Sequence, residues 1–121
     1  MKVLLDTNIL MLSEKFKVDI FSEIERLTNE KCNFFTLKSV VTELKSMSRS
    51  TGKKSLQART ALALISSKNL AILDYDGYPD KVFEKIDGYA IATNDLDLAK
   101  RLKKLGKTVF VLRQKNKFEI Y

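Results

Sequence analysis

Apolar residues along this chain fall into short blocks whose internal spacing switches back and forth between a strand period and a helix period. Val3-Leu4-Leu5 is a continuous apolar run, as expected of a strand buried on both faces of a parallel sheet. Asp6-Thr7-Asn8 breaks the run with side chains suited to capping free backbone N–H groups, and Ile9 to Glu14 predicts a short helical turn. From Asp19 to Leu27, the residues Ile20, Phe21, Ile24 and Leu27 share one helical face. Asn33-Phe34-Phe35-Thr36 predicts a short aromatic strand, followed by a helix through Val40, Val41, Leu44 and Met47 that Thr36 or Ser39 can start. Ser48 to Lys54 is a polar, basic loop, and Ser55 to Ser67 predicts a further helix.

The second half repeats the alternation. Leu70 to Leu73 predicts a third strand, Asp74 to Pro79 a turn, and Asp80 to Ile86 a short helix. Tyr89 to Ala92 is a fourth strand, and Asn94 to Leu105 a helix with a basic last turn, closed by Gly106. Val109 to Leu112 is a fifth strand and Lys117 to Ile120 a short sixth at an edge. Strand and helix alternating in this way imply an α/β fold: a three-layer α/β/α sandwich with a mostly parallel central sheet. A length of 121 residues with 45% hydrophobic content suits one domain, residues 1–121, with a real core.

Composition removes several kinds of chemistry. Histidine is absent, so neither a Ser-His nor a Cys-His nucleophile is available. The four glycines stand far apart, at Gly52, Gly77, Gly88 and Gly106, and form no phosphate-cradling loop. A single cysteine, Cys32, has no partner for a disulfide or a zinc site. No apolar run is long enough to cross a bilayer and no signal-peptide pattern opens the chain, so a soluble, cytoplasmic protein with no membrane partner is expected. What remains for catalysis is carboxylates, hydroxyls, lysines or a metal.

Charge is unevenly spread. The formal net charge is +7, from 22 basic and 15 acidic residues. Between Glu43 and Asp74 the charged residues are all basic, including Arg49, Lys53 and Lys54; between Leu98 and Phe118 they are again all basic, including Lys100, Arg101 and Lys104. Such blocks suit a polyanionic partner, nucleic acid or a membrane surface, and on charge alone solvated helix faces explain them about equally well.

The acids supply that chemistry. Asp6 ends the first strand and Asp95 follows the fourth, each beside a Thr and an Asn, so both are placed where open α/β sheets bind ligands. Each is equally able to serve as an ordinary helix cap. Glu43 lies among the apolar positions of its helix, and Asp80 begins a short helix after Pro79. Carboxylates gathered together repel, and a divalent cation with oxygen ligands, Mg²⁺ or Mn²⁺, relieves that cost and activates water against a phosphodiester.

Three stretches then carry a resemblance. Leu5-Asp6-Thr7-Asn8-Ile9-Leu10, Val40-Val41-Thr42-Glu43-Leu44 and Ile91-Ala92-Thr93-Asn94-Asp95-Leu96-Asp97-Leu98 resemble, in order and over nearly the whole chain, the successive signatures of PIN-domain nucleases. The resemblance implies a doubly wound sheet and an acid cluster that binds Mg²⁺ or Mn²⁺ and cleaves single-stranded or structured RNA. Carried over by position, Asp6, Glu43 and Asp95 match acidic positions, Thr7, Asn8 and Thr93 match polar supports, and Asp97 is placed to assist. The family's remaining acid usually opens a longer helix in a pattern such as Asp-Asp-Ala-Ile-Leu; here Tyr78-Pro79-Asp80-Lys81-Val82-Phe83-Glu84 stands instead, with Asp80 the best match and Asp76 the next. Arg49, Lys53, Lys54, Lys100, Arg101 and Lys104 are candidates for RNA phosphate contacts, which position the polymer without reading its sequence.

The stretch Val109-Phe110-Val111-Leu112-Arg113-Gln114-Lys115 resembles archaeal PIN proteins related to ribosomal-RNA processing nucleases more than toxins of the VapC type. A homodimer, and either ribosome-assembly factors or an antitoxin as partners, accord with the resemblance. Two alternatives stand beside a metal-dependent ribonuclease. One is a PIN-like RNA-binding scaffold that does not cleave. The other is a receiver-like phosphorelay domain using Asp6, Asp74, Thr93 and Arg113, which leaves Glu43 and Asp95 idle and puts arginine where lysine is required.

Overall fold

A computed structural model describes residues 1–113 and 117–121, so Gln114 and Lys115, the end of the stretch noted above, lie outside the described residues. In chain order its elements are β1 (Lys2–Leu5), α1 (Thr7–Phe16), α2 (Ile20–Thr28), β2 (Asn33–Leu37), α3 (Lys38–Ser48), α4 (Lys53–Ser67), β3 (Ala71–Leu73), α5 (Pro79–Lys85), β4 (Ala90–Ala92), α6 (Leu96–Lys104), β5 (Val109–Arg113) and β6 (Lys117–Ile120). The strands form one sheet in the order β3-β2-β1-β4-β5-β6. Strands β1 to β5 pair in parallel, and β6 closes the far edge antiparallel to β5. The expected mostly parallel α/β architecture is what forms.

That order decides where anything can bind. From β1 the chain moves outward to β2 and β3, then returns to the other side of β1 with β4 and continues to β5. With right-handed crossovers, the helices before β3 fall on one face and those after it on the other. Helix contacts divide accordingly: α1, α3 and α4 pack together, with α2 against α1, while α5 packs on α6. The reversal between β1 and β4 leaves a crevice at the carboxyl ends of those two strands, the switch point at which open α/β sheets take their ligands. A receiver domain would need the flavodoxin-like order 2-1-3-4-5, so the observed order removes that alternative.

Burial explains the continuous apolar runs. Val3, Leu4 and Leu5 are fully buried because β1 has a strand on either side and helices above and below. Each such side chain contributes roughly 1.5–3 kcal/mol on leaving water. On α4, Ala58 and Ala61 are fully buried, and their small size lets α1 and α3 approach that helix closely. Phe83 of α5 and Phe110 of β5 fill the core with no exposure.

Most element boundaries shift by a residue or so from expectation, and three shifts have their reason in capping. Helix α1 runs from Thr7 to Phe16, longer than the turn expected at Ile9 to Glu14, because Asp6 caps it directly and Lys17, at φ 52°, ends it in the left-handed region. Helix α4 begins at Lys53 rather than Ser55, since Gly52 at φ 96° supplies an entry angle open to glycine. Lys53 and Lys54 are therefore on a helix, not in the expected loop. Helix α6 begins at Leu96, with Asp95 as its cap, rather than at Asn94.

Candidate active site

Asp6 is the residue that turns β1 into α1 at the carboxyl edge of the central strand. Its N–H donates to the Ala92 carbonyl at 3.1 Å, which extends the β1–β4 pairing to the last residue before the crevice. Only 8% of its surface is exposed, an unusual position for a carboxylate. Two donors hold it: Thr7 N–H at 2.7 Å on Oδ1 and the Thr93 hydroxyl at 2.8 Å on Oδ2. Burial pushes the carboxyl up from its ordinary 3.8 to about 6, the Thr93 and Thr7 hydrogen bonds pull the other way, and the charges of Asp80 and Glu43 add to the rise. A cap alone does not require burial beside two other acids.

The neighbouring acids are joined to Asp6 through hydroxyls. Thr93, fully buried after β4, donates to Asp6 and accepts from Asp95 N–H at 3.1 Å. Thr7, itself buried, donates its hydroxyl to Glu43 Oε2 at 3.1 Å, so the first turn of α1 reaches the exposed carboxylate on α3. A polar path thus runs from Glu43 through Thr7 to Asp6, and on through Thr93 to the Asp95 backbone. The Asp95 side chain accepts from Leu98 N–H at 3.1 Å and so caps α6; only its backbone is tied to the Asp6 network, through Thr93. Asp97 is exposed on the first turn of α6.

Asp80 lies on α5, near enough for its charge to be felt at Asp6, and is bound to Arg101 of α6 at 3.4 Å. The same guanidinium donates to Glu84 at 3.0 Å, which fixes α5 against α6. Asp76, the second match by sequence, is exposed in the loop before α5 and lines a separate cavity. Among the described residues, no three carboxylates converge tightly enough to hold an ion directly between them. Oxygen donors are nevertheless the right type for Mg²⁺ or Mn²⁺, which commonly bind through one or two carboxylates and keep several waters. The buried carboxylate and its like-charged neighbours fit such a cation.

A cavity of about 300 Å³ opens beside this path, lined by Thr7, Asn8, Glu43 and Asn94, with Lys15 and Lys54 at its rim. Asn8, a predicted support, is exposed there. Of the predicted phosphate contacts, Lys54 shares this cavity, whereas Arg49 and Lys53 are exposed near the start of α4. Lys100 and Lys104 line a different groove, along α6 and the end of β5. Arg101 is held by Asp80 and Glu84.

Sequence reasoning missed three contributors. Thr36 is fully buried and donates to the Leu5 carbonyl at 3.0 Å, fixing the strand end that carries Asp6. Asn94 Oδ1 accepts from Leu112 N–H at 2.9 Å, tying the loop after β4 to β5. Lys15 reaches the cavity from the last turn of α1. A threonine at an inward strand position was the one available signal.

The comparisons with known proteins agree with this geometry. Ribonuclease VapC4 of Methanocaldococcus jannaschii is 34% identical over 128 residues, covering 99% of this chain and 96% of that protein. Among solved structures, the PIN domain endonuclease Utp24 superposes with a TM-score of 0.79 at 22% identity, over 98% of this chain and 90% of that one. A domain of a functionally unknown protein from Methanocaldococcus jannaschii superposes with a TM-score of 0.55 at 18% identity, over 93% and 91% of the two chains. The pattern described as a PIN like domain matches residues 3–115, and with that match the chain is shown to belong to the PIN-like domain family.

Proposed function

We propose that this chain is an endoribonuclease, a single cytoplasmic domain that hydrolyses RNA phosphodiester bonds with Mg²⁺ or Mn²⁺ at the crevice between β1 and β4. The observation that carries the reading is Asp6, buried at the switch point and held by Thr93 and Thr7 within reach of the charges of Asp80 and Glu43. The ribonuclease name of the 34% identical relative supports RNA as the substrate. The net charge of +7 suits a polyanion.

When bound, the cation supplies the positive charge that lets buried Asp6 ionise and polarises the phosphate under attack. The chain does the rest. Asp6 would be its principal ligand, with Asp80, Asp95 and Glu43 completing the site through water and Asp97 assisting from α6. Thr93 orients Asp6, and by accepting the Asp95 N–H it holds the second acid's backbone against the first. Thr7 turns Glu43 so that its carboxylate holds and orients a water. Lys54 and Lys15 flank the cavity and contact the phosphates on either side of the scissile bond; Arg49, Lys53, Lys100 and Lys104 extend the contact along the polymer.

The resemblance of Val109 to Lys115 to rRNA-processing PIN proteins supports an RNA-processing role, while the name of the VapC4 relative supports a toxin. The deciding experiment is cleavage of end-labelled RNA by the native chain and Asp6→Asn, with Mn²⁺ or with EDTA. Cleavage by the native chain in Mn²⁺ alone supports the reading, and equal cleavage by the variant removes it. Salt-sensitive binding without cleavage would instead favour the scaffold. A ribosomal-precursor transcript cut at discrete sites, against general cleavage of cellular RNA, separates processing from toxin action.

A further inference from the structure

The loop from Asp74 to Tyr78, between β3 and α5, carries two tyrosines that the fold does not use. Tyr78 is 82% exposed and Tyr75 48% exposed, although large aromatic side chains are normally drawn into the core. Together with Val82 of α5 and Ile86 just after it they line a cavity of about 490 Å³, within the range of small-ligand sites. Lys81 and Lys85 border the same cavity four residues apart, and so on one face of α5. Asp76 and Asp87 also line it. Apolar floor, aromatic walls and ammonium groups along one side match an unpaired nucleotide, with its base between the tyrosines and its phosphate at the lysines.

Position ties this cavity to the cleft. Strands β3 and β1 run parallel within one sheet, so the loop leaving β3 lies at the same carboxyl edge as Asp6. Tyr78 caps α5 and Asp80 sits in its first turn, so only Pro79 separates the exposed ring from the acid whose charge reaches Asp6. A strand of RNA that crosses the acids from the Lys54 side leaves towards α5 and α6, on the other face of the sheet.

We propose that Tyr75, Tyr78, Lys81 and Lys85 form a subsite for one unpaired nucleotide flanking the scissile bond, so that the enzyme selects single-stranded RNA. This rests on the ribonuclease reading above. Stacking tolerates any base, since every base has a π-face, and the lysines add a contact that weakens with salt.

The test measures binding of a short fluorescein-labelled oligouridylate in EDTA and its cleavage in Mn²⁺, for the native chain, the double variant Tyr75→Ala/Tyr78→Ala, and Tyr75→Phe/Tyr78→Phe. The alanine pair should bind the single strand about tenfold more weakly or worse while binding duplex RNA as the native chain does, and the phenylalanine pair should retain native affinity. Because both rings are exposed, the melting temperature should stay near native. Alanine variants that bind and cut the single strand at native levels overturn the subsite and leave the nuclease reading intact. Unchanged RNA binding with a dimer lost on sedimentation overturns it in favour of a protein-docking face. A native chain that neither binds nor cuts RNA removes the nuclease reading itself, a result distinct from either.

Discussion

The Thr93 hydroxyl donates to Asp6 Oδ2 at 2.8 Å across 87 residues of chain. A hydroxyl has one proton, and with it committed to Asp6 the oxygen is left as an acceptor, the role it plays for Asp95 N–H at 3.1 Å. The ends of the first and fourth strands are therefore tied together at the crevice by one side chain. Thr93→Val keeps the shape and removes both bonds, leaving a buried carboxylate short of a donor and a backbone N–H without its acceptor. Stability should fall by about 2–3 kcal/mol in urea titrations. Since the Thr93 bond holds the Asp6 pKa down, its loss should also move the acidic limb of the pH–rate profile upward. Thr93→Ser restores the hydroxyl and should recover both.

Asp6 should destabilise the metal-free protein at neutral pH. Its folded pKa of about 6 lies above the ordinary 3.8, so between those values the folded state holds more protons than the unfolded chain. Stability then falls as pH rises from about 4 to about 6 and is flat beyond, by an amount near 3 kcal/mol for a rise of about two units at 1.36 kcal/mol each. Asp6→Asn cannot ionise and avoids that cost, but it gives two donors a single oxygen, a loss of about 1 kcal/mol. In EDTA the variant should be about 2 kcal/mol more stable than native at pH 7.5, with the gap closed by pH 4. Denaturation curves at several pH values check this; a native chain whose stability is unchanged from pH 4 to 7 would show that Asp6 is not desolvated.

A cation bound through Asp6 has the opposite effect on the native chain alone. Mn²⁺ at one hundred times its dissociation constant stabilises by about 2.7 kcal/mol. Thermal melts at pH 7.5 should therefore rise with Mn²⁺ for the native chain and stay level for Asp6→Asn. The native rise should shrink below pH 6, where a proton competes for the carboxylate. An equal rise in both proteins would place the ion elsewhere.

Much of this arrangement is legible in the sequence, and the part that is not has a physical reason. Val3-Leu4-Leu5 and the apolar blocks after it read as strands because parallel strands are buried on both faces, and Asp6 and Asp95 follow from where those blocks end. The boundaries of α1 and α4 moved because a side-chain cap and one left-handed glycine decide them, and apolar periodicity does not register either. Thr36 bonding to Leu5 and Arg101 bonding to Asp80 are tertiary pairings over 31 and 21 residues. A charge count offers no way to separate a lysine facing the cleft from an arginine already engaged.

That distinction between Lys54 and Arg101 can be measured. Lys54 lines the cavity that holds Glu43, whereas Arg101 is held by Asp80 at 3.4 Å and Glu84 at 3.0 Å. An arginine must leave both carboxylates before it can bind a phosphate, so most of its attraction is already spent inside the protein. Each free cation that contacts a phosphate adds about 0.7 to the salt slope of single-strand binding. Lys54→Ala should lower that slope by about this amount and weaken RNA binding at low salt. Arg101→Ala should leave the slope nearly unchanged and, as a half-exposed ion pair, cost less than about 1 kcal/mol in stability. Its removal should also free Asp80 and so raise the apparent affinity for Mn²⁺ in the melting assay. A slope that falls more for Arg101→Ala than for Lys54→Ala would mean that the guanidinium swings away from Asp80 when RNA arrives.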